Sequence, residues 1–289
     1  MSKTIQELTE LRNKLKAKIT DKSFEWKSVC LQPVYSGLSS EFGTQPIPIV
    51  ASLFVEICEV VRVSHEGKEY YLPVTAKETR EYAKKYNAFP LTRAVADQLY
   101  NRAKSHVASH PQSPSIRPKT PNPKDDPEFV KAQSEKLKDF EEQSEYLKKS
   151  NYKGIDDFGA HKLWTLSKLK IDQCVAKSTA ACKVDNYTVN YGMYRDKLST
   201  DTTGKNEGGT YLKLFNPGKR LNQPLGGTDH DHDHWDYSQL LQLMRSSGSI
   251  PYRNENGFMT YMDLKTALLK GHPLLWDEGK PLTEADLKF

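Results

Sequence analysis

Histidine and aspartate alternate in one short run, and these residue types are the best suited in this sequence to carry chemistry. The run spans residues 229–236, DHDHDHWD, and contains three of the chain's eight histidines. We call it the Asp/His run. Imidazoles and carboxylates at this density can bind a metal ion, relay protons or orient one another. The run therefore predicts a polar functional site.

The spacing of the histidines favours a metal site. If the run is extended, His230, His232 and His234 share one face, because side chains alternate along a strand. Two or three imidazoles on one face are suited to a divalent metal, zinc first, with a carboxylate from elsewhere as a further ligand. The alternative is a solvated loop in which the histidines and aspartates pair with one another. The sequence leaves both interpretations open.

Five residues are candidates for catalysis. His230 is the candidate general base, Asp236 would orient an imidazole, and Tyr237 would donate a hydrogen bond to the substrate. His161 is a more isolated candidate, for which the alternative is a structural, hydrogen-bonded histidine among aromatic residues. Lys183 would stabilise developing negative charge, and its alternative is a side chain at the end of a strand.

Composition sets limits on the class of protein. The chain has 289 residues, of which 37 % are apolar, so it can hold a large core and also much solvated surface. Its four cysteines include no CxxC pair, so no disulfide scaffold is expected. The net charge of +5 is a small excess over a mixed surface, and no nucleic-acid-binding signature is present, which disfavours a nucleic-acid partner.

The N-terminal residues lack the apolar core of a signal peptide, so we expect synthesis in the cytoplasm. No window approaches about 18 apolar residues, and no membrane span is expected. Export would need another route, such as packaging in a particle.

The pattern of predicted elements indicates an α+β fold in three regions. Residues 1–108 form a helical N-terminal region with a short sheet. Residues 109–150 join a proline-rich connector to a charged helix. Residues 151–289 form a sheet-rich half that carries the candidate site.

Capping patterns predict two helices in the first region, and apolar periodicity predicts a third. Thr4 with Glu7, and Thr75 with Glu78, have the spacing of capping boxes, and the helices that they begin continue to about residues 19 and 86. A third helix over 92–103 places apolar residues on one face.

Other patterns predict the remaining elements. The stretch 47–63 is rich in Val, Ile and Phe and favours buried strands, with a hairpin turn at 65–68. Residues 127–149 predict one charged helix with a solvated face. Short strands are expected after residue 151, for example at 187–194, and a short helix at 262–269.

Several motifs occur in a consistent order. Segment 89–97, FPLTRAVAD, is similar to a motif LPT(K/R)xxVD. His161 matches a histidine that follows the connector. A block QPL…H…YVDYSHG is matched by Gln223-Pro224-Leu225, His230 and Asp236-Tyr237-Ser238. A late DEG motif is matched by Asp277-Glu278-Gly279. Together they resemble a group of largely uncharacterised bacterial and phage proteins.

Three histidines of that group are missing here. Where the group has the motif HKKD, this chain has Cys182 in place of the histidine. Phe215 replaces the histidine of the group's YGWH motif, and Gln239 replaces the histidine that follows DYS. If those histidines are catalytic in the group, the resemblance implies that this chain has lost or rebuilt the chemistry, with the Asp/His run as the rebuilt site. An L,D-transpeptidase mechanism is disfavoured, because Leu240 and Leu241 occupy the region of the required cysteine.

Two functions follow as hypotheses. The first is a hydrolase that acts on a cell-wall peptide or related polymer through the Asp/His run, with metal assistance. The second is a non-catalytic phage structural or host-interaction protein, with other virion proteins as partners and a location in the particle. A hydrolase predicts that the Asp/His run, His161 and Lys183 converge in one pocket.

Overall fold

The structure, a computed structural model, describes residues 3–32, 53–107, 117–166, 188–192, 194–195, 220–221, 233–246, 248–253, 258–272, 274–276 and 281–287. These residues form six helices and several small, mainly antiparallel sheets, as expected of an α+β protein. No helix in these ranges is long and apolar enough to cross a membrane. The division into three regions stays a prediction.

The helices begin where the capping residues predict. Thr4 and Thr75 both accept a hydrogen bond from the backbone of a glutamate three residues later, and both capping boxes are complete. Thr92 caps the third helix in the same way through the Val95 backbone. The six helices are α1 Ile5–Lys16, α2 Ala76–Lys85, α3 Arg93–Arg102, α4 Pro127–Leu137, α5 Phe140–Lys149 and α6 Leu264–Leu269.

The prediction of one helix over residues 127–149 is wrong. The chain forms α4 and α5, and Lys138 and Asp139 lie between them. The Asp139 carboxylate accepts a hydrogen bond from the Glu142 backbone N–H at 3.2 Å, so it caps a new helix. The helix predicted from residue 262 begins two residues later, because Met262 ends a strand.

Fourteen short strands are present in the described ranges. They are β1 Trp26–Leu31, β2 Leu53–Cys58, β3 Arg62–His65, β4 Lys68–Tyr71, β5 Phe89–Pro90, β6 Ser105–His106, β7 Asp157–Phe158, β8 Lys162–Leu166, β9 Thr188–Gly192, β10 Tyr194–Arg195, β11 Arg220–Leu221, β12 Leu243–Arg245, β13 Ile250–Arg253 and β14 Met259–Met262. The hairpin expected at residues 65–68 joins β3 to β4.

The largest sheet has the strand order β1-β2-β12-β5, and every pairing in it is antiparallel. Smaller pairs are β3-β4, β6-β7, β8-β9, β10-β11 and β13-β14. Leu53, Val55 and Ile57 of β2 are buried and belong to a cluster that also contains residues of α3, β8 and α6. The buried face of β2 therefore belongs to a core that includes α3, from the first half of the chain, and α6, from the second half.

Residues 238–241 run between two parts of the chain and bond to both through the backbone. On one side the Lys162 N–H donates to the Ser238 carbonyl at 2.7 Å. On the other side the Val74 and Val61 N–H groups donate to the carbonyls of Gln239 and Leu241 at 2.8 and 3.0 Å. These backbone hydrogen bonds fix residues 238–241 beside the first residue of β8.

Candidate functional site

The structure describes only part of the predicted site. His161, His234, Asp236 and Tyr237 lie within the described residues, and all four are near the start of β8 or in the segment that pairs with it. His230, His232 and Lys183 lie outside the described residues.

Asp236 forms a buried ion pair with Lys162. The Lys162 Nζ atom lies 2.5 Å from Asp236 Oδ2, and both side chains are almost fully buried. The other carboxylate oxygen, Oδ1, accepts hydrogen bonds from the Ser238 N–H at 2.9 Å and the Ser238 hydroxyl at 2.7 Å. The Asp236 N–H in turn donates to Gln239 Oε1 at 2.8 Å. The carboxylate therefore has a fixed position.

This environment keeps Asp236 ionised. Burial on its own would raise the pKa of the carboxyl group, but the charge of Lys162, the hydrogen bonds from Lys162 and Ser238 and the nearby His234 ring outweigh burial and hold the pKa well below its usual range. A carboxylate with a pKa this low and with both oxygens already bound is a weak base, poorly suited to accept a proton in a reaction. It is well suited to orient a neighbouring imidazole.

His234 is the imidazole beside that carboxylate. Its Nε2 atom lies 3.9 Å from Asp236 Oδ2, within ion-pair distance and longer than a standard hydrogen bond. The His234 side chain is 26 % exposed. His234 therefore stands between the buried Lys162–Asp236 pair and the surface.

His161 has a different environment, and its ring is fully buried. The Tyr152 hydroxyl accepts hydrogen bonds from the N–H groups of Gly159 and Ala160, both at 3.2 Å. Its own proton is then available for His161 Nδ1, at 2.6 Å. The ring proton of His161 must therefore be on Nε2.

Gln242 is close enough to this ring to influence it. The Gln242 amide nitrogen donates to the carbonyls of Cys58 at 3.0 Å and Gly154 at 2.8 Å. Burial lowers the pKa of His161 to about 3, so the ring is neutral at physiological pH. In the structure His161 supports the fold next to Lys162, and its catalytic role stays a prediction.

Tyr237 is buried in a cluster that includes Phe140 and Trp235. Its backbone N–H donates to the Leu137 carbonyl at 2.9 Å, which ties the segment after Asp236 to the end of α4. The role of Tyr237 as a donor to substrate stays a prediction.

Lys162 is the site residue that sequence reasoning missed. It begins β8, KLWTL, in which every residue is buried. A lysine in a fully buried strand needs an acidic partner, because an unpaired buried charge is strongly unfavourable. That signal indicated a partner but could not identify it, since Asp236 is 74 positions away in the chain.

A metal site and a reactive thiol at Cys58 find no support among the described residues. No group of three or more His, Cys, Asp or Glu side chains there could hold a metal ion. Burial raises the pKa of the Cys58 thiol to about 12, and its sulfur accepts a hydrogen bond from the Leu243 N–H at 3.0 Å. Cys58 is therefore an unreactive thiol.

No protein-family model, curated protein or solved structure matches this chain. What the arrangement around Asp236 can do follows from its geometry. A fixed carboxylate anion beside a partly exposed imidazole can orient that imidazole to accept a proton or to bind a metal ion.

Proposed function

We propose that this protein is a hydrolase whose reacting groups lie on the Asp/His run, and that Asp236 orients His234 within it. The observation that carries the proposal is the 3.9 Å separation between His234 Nε2 and Asp236 Oδ2. Lys162 fixes Asp236 from the buried side, so the carboxylate cannot move away from the imidazole.

Metal assistance fits this donor set. Metal-binding histidines usually contact a carboxylate or carbonyl through the ring nitrogen that does not bind the metal. In His234 the Nε2 atom lies 3.9 Å from the Asp236 carboxylate, so a metal ion would bind through the other ring nitrogen, Nδ1. His230 and His232 are the further ligands that the sequence proposes. A bound divalent metal such as zinc would lower the pKa of a water molecule and supply a hydroxide nucleophile near neutral pH.

The proposed substrate is a cell-wall peptide or related polymer. The support comes from the resemblance of the motifs to those of bacterial and phage proteins. A net charge of +5 is also compatible with an anionic polymer.

The first test is the release of soluble fragments from purified peptidoglycan, with and without EDTA. The triple variant His230→Ala/His232→Ala/His234→Ala should abolish release, and Asp236→Asn should reduce it. His65→Ala is the matched control, because His65 lies in the β3–β4 hairpin and contacts Lys18 rather than the site. Release by the triple variant at the wild-type rate would refute the proposal. If EDTA does not affect release, the metal is not part of the mechanism and His234 would act as a general base.

A non-catalytic interaction protein is the second candidate, and exposed aromatic residues favour it. Phe54 is 57 % exposed, and Phe258 and Tyr261, near or in β14, are 69 % and 70 % exposed. Exposed aromatic side chains are common at protein interaction sites. Cosedimentation with insoluble peptidoglycan that is lost in Tyr261→Ser, together with no fragment release by the wild type, would favour this function over the hydrolase.

A further inference from the structure

We propose that Tyr152 and His161 form a pH-sensitive latch, in which protonation of His161 releases the backbone of Gly159 and Ala160 from the Tyr152 hydroxyl. The latch is independent of the hydrolase function proposed above. The Tyr152 hydroxyl oxygen accepts hydrogen bonds from the N–H groups of Gly159 and Ala160, both at 3.2 Å, and lies 2.6 Å from His161 Nδ1. One phenol thus holds all three residues that join β7 to β8.

The positions of the protons make this contact sensitive to the charge of His161. With two N–H donors on its oxygen, Tyr152 directs its own proton to His161 Nδ1, so the neutral ring carries its proton on Nε2. A second proton on the ring can therefore go only to Nδ1. Nδ1 would then face Tyr152 as a third N–H donor, and a phenolic oxygen that keeps its own proton cannot accept three hydrogen bonds. At least one contact of the latch must break when His161 becomes charged.

The surroundings of His161 favour the neutral ring. The ring is fully buried, and the rings of Tyr152 and Phe158 pack edge-on against it, with centroids 5.5 and 5.2 Å away. Burial lowers the pKa of His161 to about 3. The closed latch therefore resists protonation, and the open latch, in which water reaches the ring, accepts the proton more readily.

The titratable side chains on the elements packed around this ring have other partners in the described part of the chain. Their contacts are Asp157 with the Lys153 and Gly154 N–H groups, Lys153 with Glu59, Lys162 with Asp236, Tyr71 with the Tyr152 carbonyl, and Cys58 with the Leu243 N–H. From α5 the side chain of Gln143, which does not titrate, donates to the Ala160 carbonyl at 3.4 Å. His161 is therefore the group whose charge controls the latch.

The chain is fixed independently on both sides of the latch, so the opening is local. The Tyr152 N–H donates to the Leu147 carbonyl at 3.1 Å, and the Tyr71 hydroxyl donates to the Tyr152 carbonyl at 2.7 Å. On the other side, the Lys162 N–H donates to the Ser238 carbonyl at 2.7 Å. Release would therefore open the segment between β7 and β8 while both of its neighbours keep their positions.

The released segment borders β6. A Cβ on Gly159 would lie 3.1 Å from the Val107 carbonyl oxygen, so Gly159 packs directly against the residue that follows β6. The pairing of β6 with β7 includes only two residues of each strand. The latch thus makes the attachment of β6 to this part of the fold dependent on pH.

The test is amide hydrogen exchange of the full chain, followed by NMR at about pH 7 and about pH 4.5 and corrected for the intrinsic effect of pH on exchange. In the open segment the pKa of His161 returns to about 6.5, so each pH unit below that value should favour opening by about tenfold. Protection of the Gly159 and Ala160 amides should therefore fall by about 100-fold between the two pH values. Their exchange should depend little on low concentrations of urea, because a local opening exposes little surface.

His161→Gln should remove this pH dependence, and Tyr152→Phe should leave both amides weakly protected at either pH. His65→Gln, in the β3–β4 hairpin, is the matched substitution of a histidine elsewhere in the fold. The latch is overturned if the pH dependence persists in His161→Gln. It is also overturned if the two wild-type amides show the urea dependence of the most protected amides, since only global unfolding then exposes them.

A measurement on the wild type alone covers the case in which the variants do not fold. The ¹⁵N chemical shifts of the His161 ring at about pH 7 show which nitrogen carries the proton. A proton on Nε2 supports the latch, and a proton on Nδ1 overturns it.

Discussion

The ammonium group of Lys162 and the carboxylate of Asp236 lie 2.5 Å apart in the interior of the protein. The two residues are 74 positions apart in the chain, and their contact joins the first residue of β8 to the end of the Asp/His run. The pair is therefore both a folding contact and the support of the candidate site.

Lys162→Met should destabilise the protein by about 3–5 kcal/mol, because it leaves the Asp236 carboxylate buried without its cation. Urea unfolding followed by circular dichroism measures this loss. The double variant Lys162→Met/Asp236→Asn should recover part of it, since neither charge then remains. Lys104→Met serves as the control, because the Lys104–Asp156 pair is exposed and little change is expected there. An equally small effect of Lys162→Met would show that the pair is hydrated in solution.

His161 should make stability depend on pH in a defined window. In the folded protein burial lowers the pKa of His161 to about 3, whereas in the unfolded chain it is about 6.5. The unfolded state therefore binds the proton more readily, so the contribution of His161 is complete above about pH 6.5 and is lost as the pH falls towards 3. The expected slope from this group is up to about 1.4 kcal/mol per pH unit.

Urea unfolding at a series of pH values between 7 and 4 tests this dependence in the wild type and in His161→Gln. The glutamine variant should show a shallower loss of stability, since its side chain does not titrate. His65→Gln is the matched substitution of a histidine elsewhere in the fold, in the β3–β4 hairpin. Parallel curves for the wild type and His161→Gln would contradict a buried, neutral His161.

Tyr152→Phe should lower the free energy of unfolding by about 1–3 kcal/mol. The substitution leaves the N–H groups of Gly159 and Ala160 and the Nδ1 atom of His161 without the Tyr152 hydroxyl as a hydrogen-bond partner. Tyr86→Phe is a suitable comparison, since the Tyr86 hydroxyl makes one long hydrogen bond, 3.4 Å, to the Ile19 carbonyl. Thermal unfolding of both variants compares their stability, and Tyr152→Phe should be the less stable. A lower stability for Tyr86→Phe would contradict this prediction.

Gly154→Ala should be far more harmful than Gly67→Ala. Both glycines have positive φ, +79° and +76°, so the backbone strain of an alanine is similar. A Cβ on Gly154 would lie 2.3 Å from Val60 Cγ2, whereas a Cβ on Gly67 would meet no atom within 4 Å. We expect Gly154→Ala to be less stable than Gly67→Ala by about 1–3 kcal/mol, measured by urea unfolding. Equal losses would mean that Val60 can move aside freely.

Local signals predicted the helices well. Thr4, Thr75 and Thr92 each cap a helix through contacts made within three residues, and such contacts can be read directly from the sequence. The division between α4 and α5 also has a local signal, Asp139 three residues before Glu142. The prediction of one helix over 127–149 rested on the runs of Glu and Lys and did not use this cap.

The candidate site was predictable only in part. Asp236 was predicted from its residue type and its position in the Asp/His run; it lies 3.9 Å from His234, and its role in orienting an imidazole stays a prediction. The environment of His161 depends on Tyr152 and Gln242, and that of Asp236 depends on Lys162. These partners come from separate stretches of the chain, and no spacing rule in a single sequence relates them.

The order of strands in the largest sheet has a consequence for how the chain folds during synthesis. β12 lies between β2 and β5, and Ile57 pairs with Met244, although about two thirds of the 289-residue chain separates them. Contacts between distant segments must close a long loop, which slows folding. While the ribosome makes the chain, β2 can pair with β1 but not with β12. The edge of β2 that pairs with β12 therefore stays unpaired until the last part of the sheet is made, and chaperones that bind exposed strands have their longest opportunity on this segment.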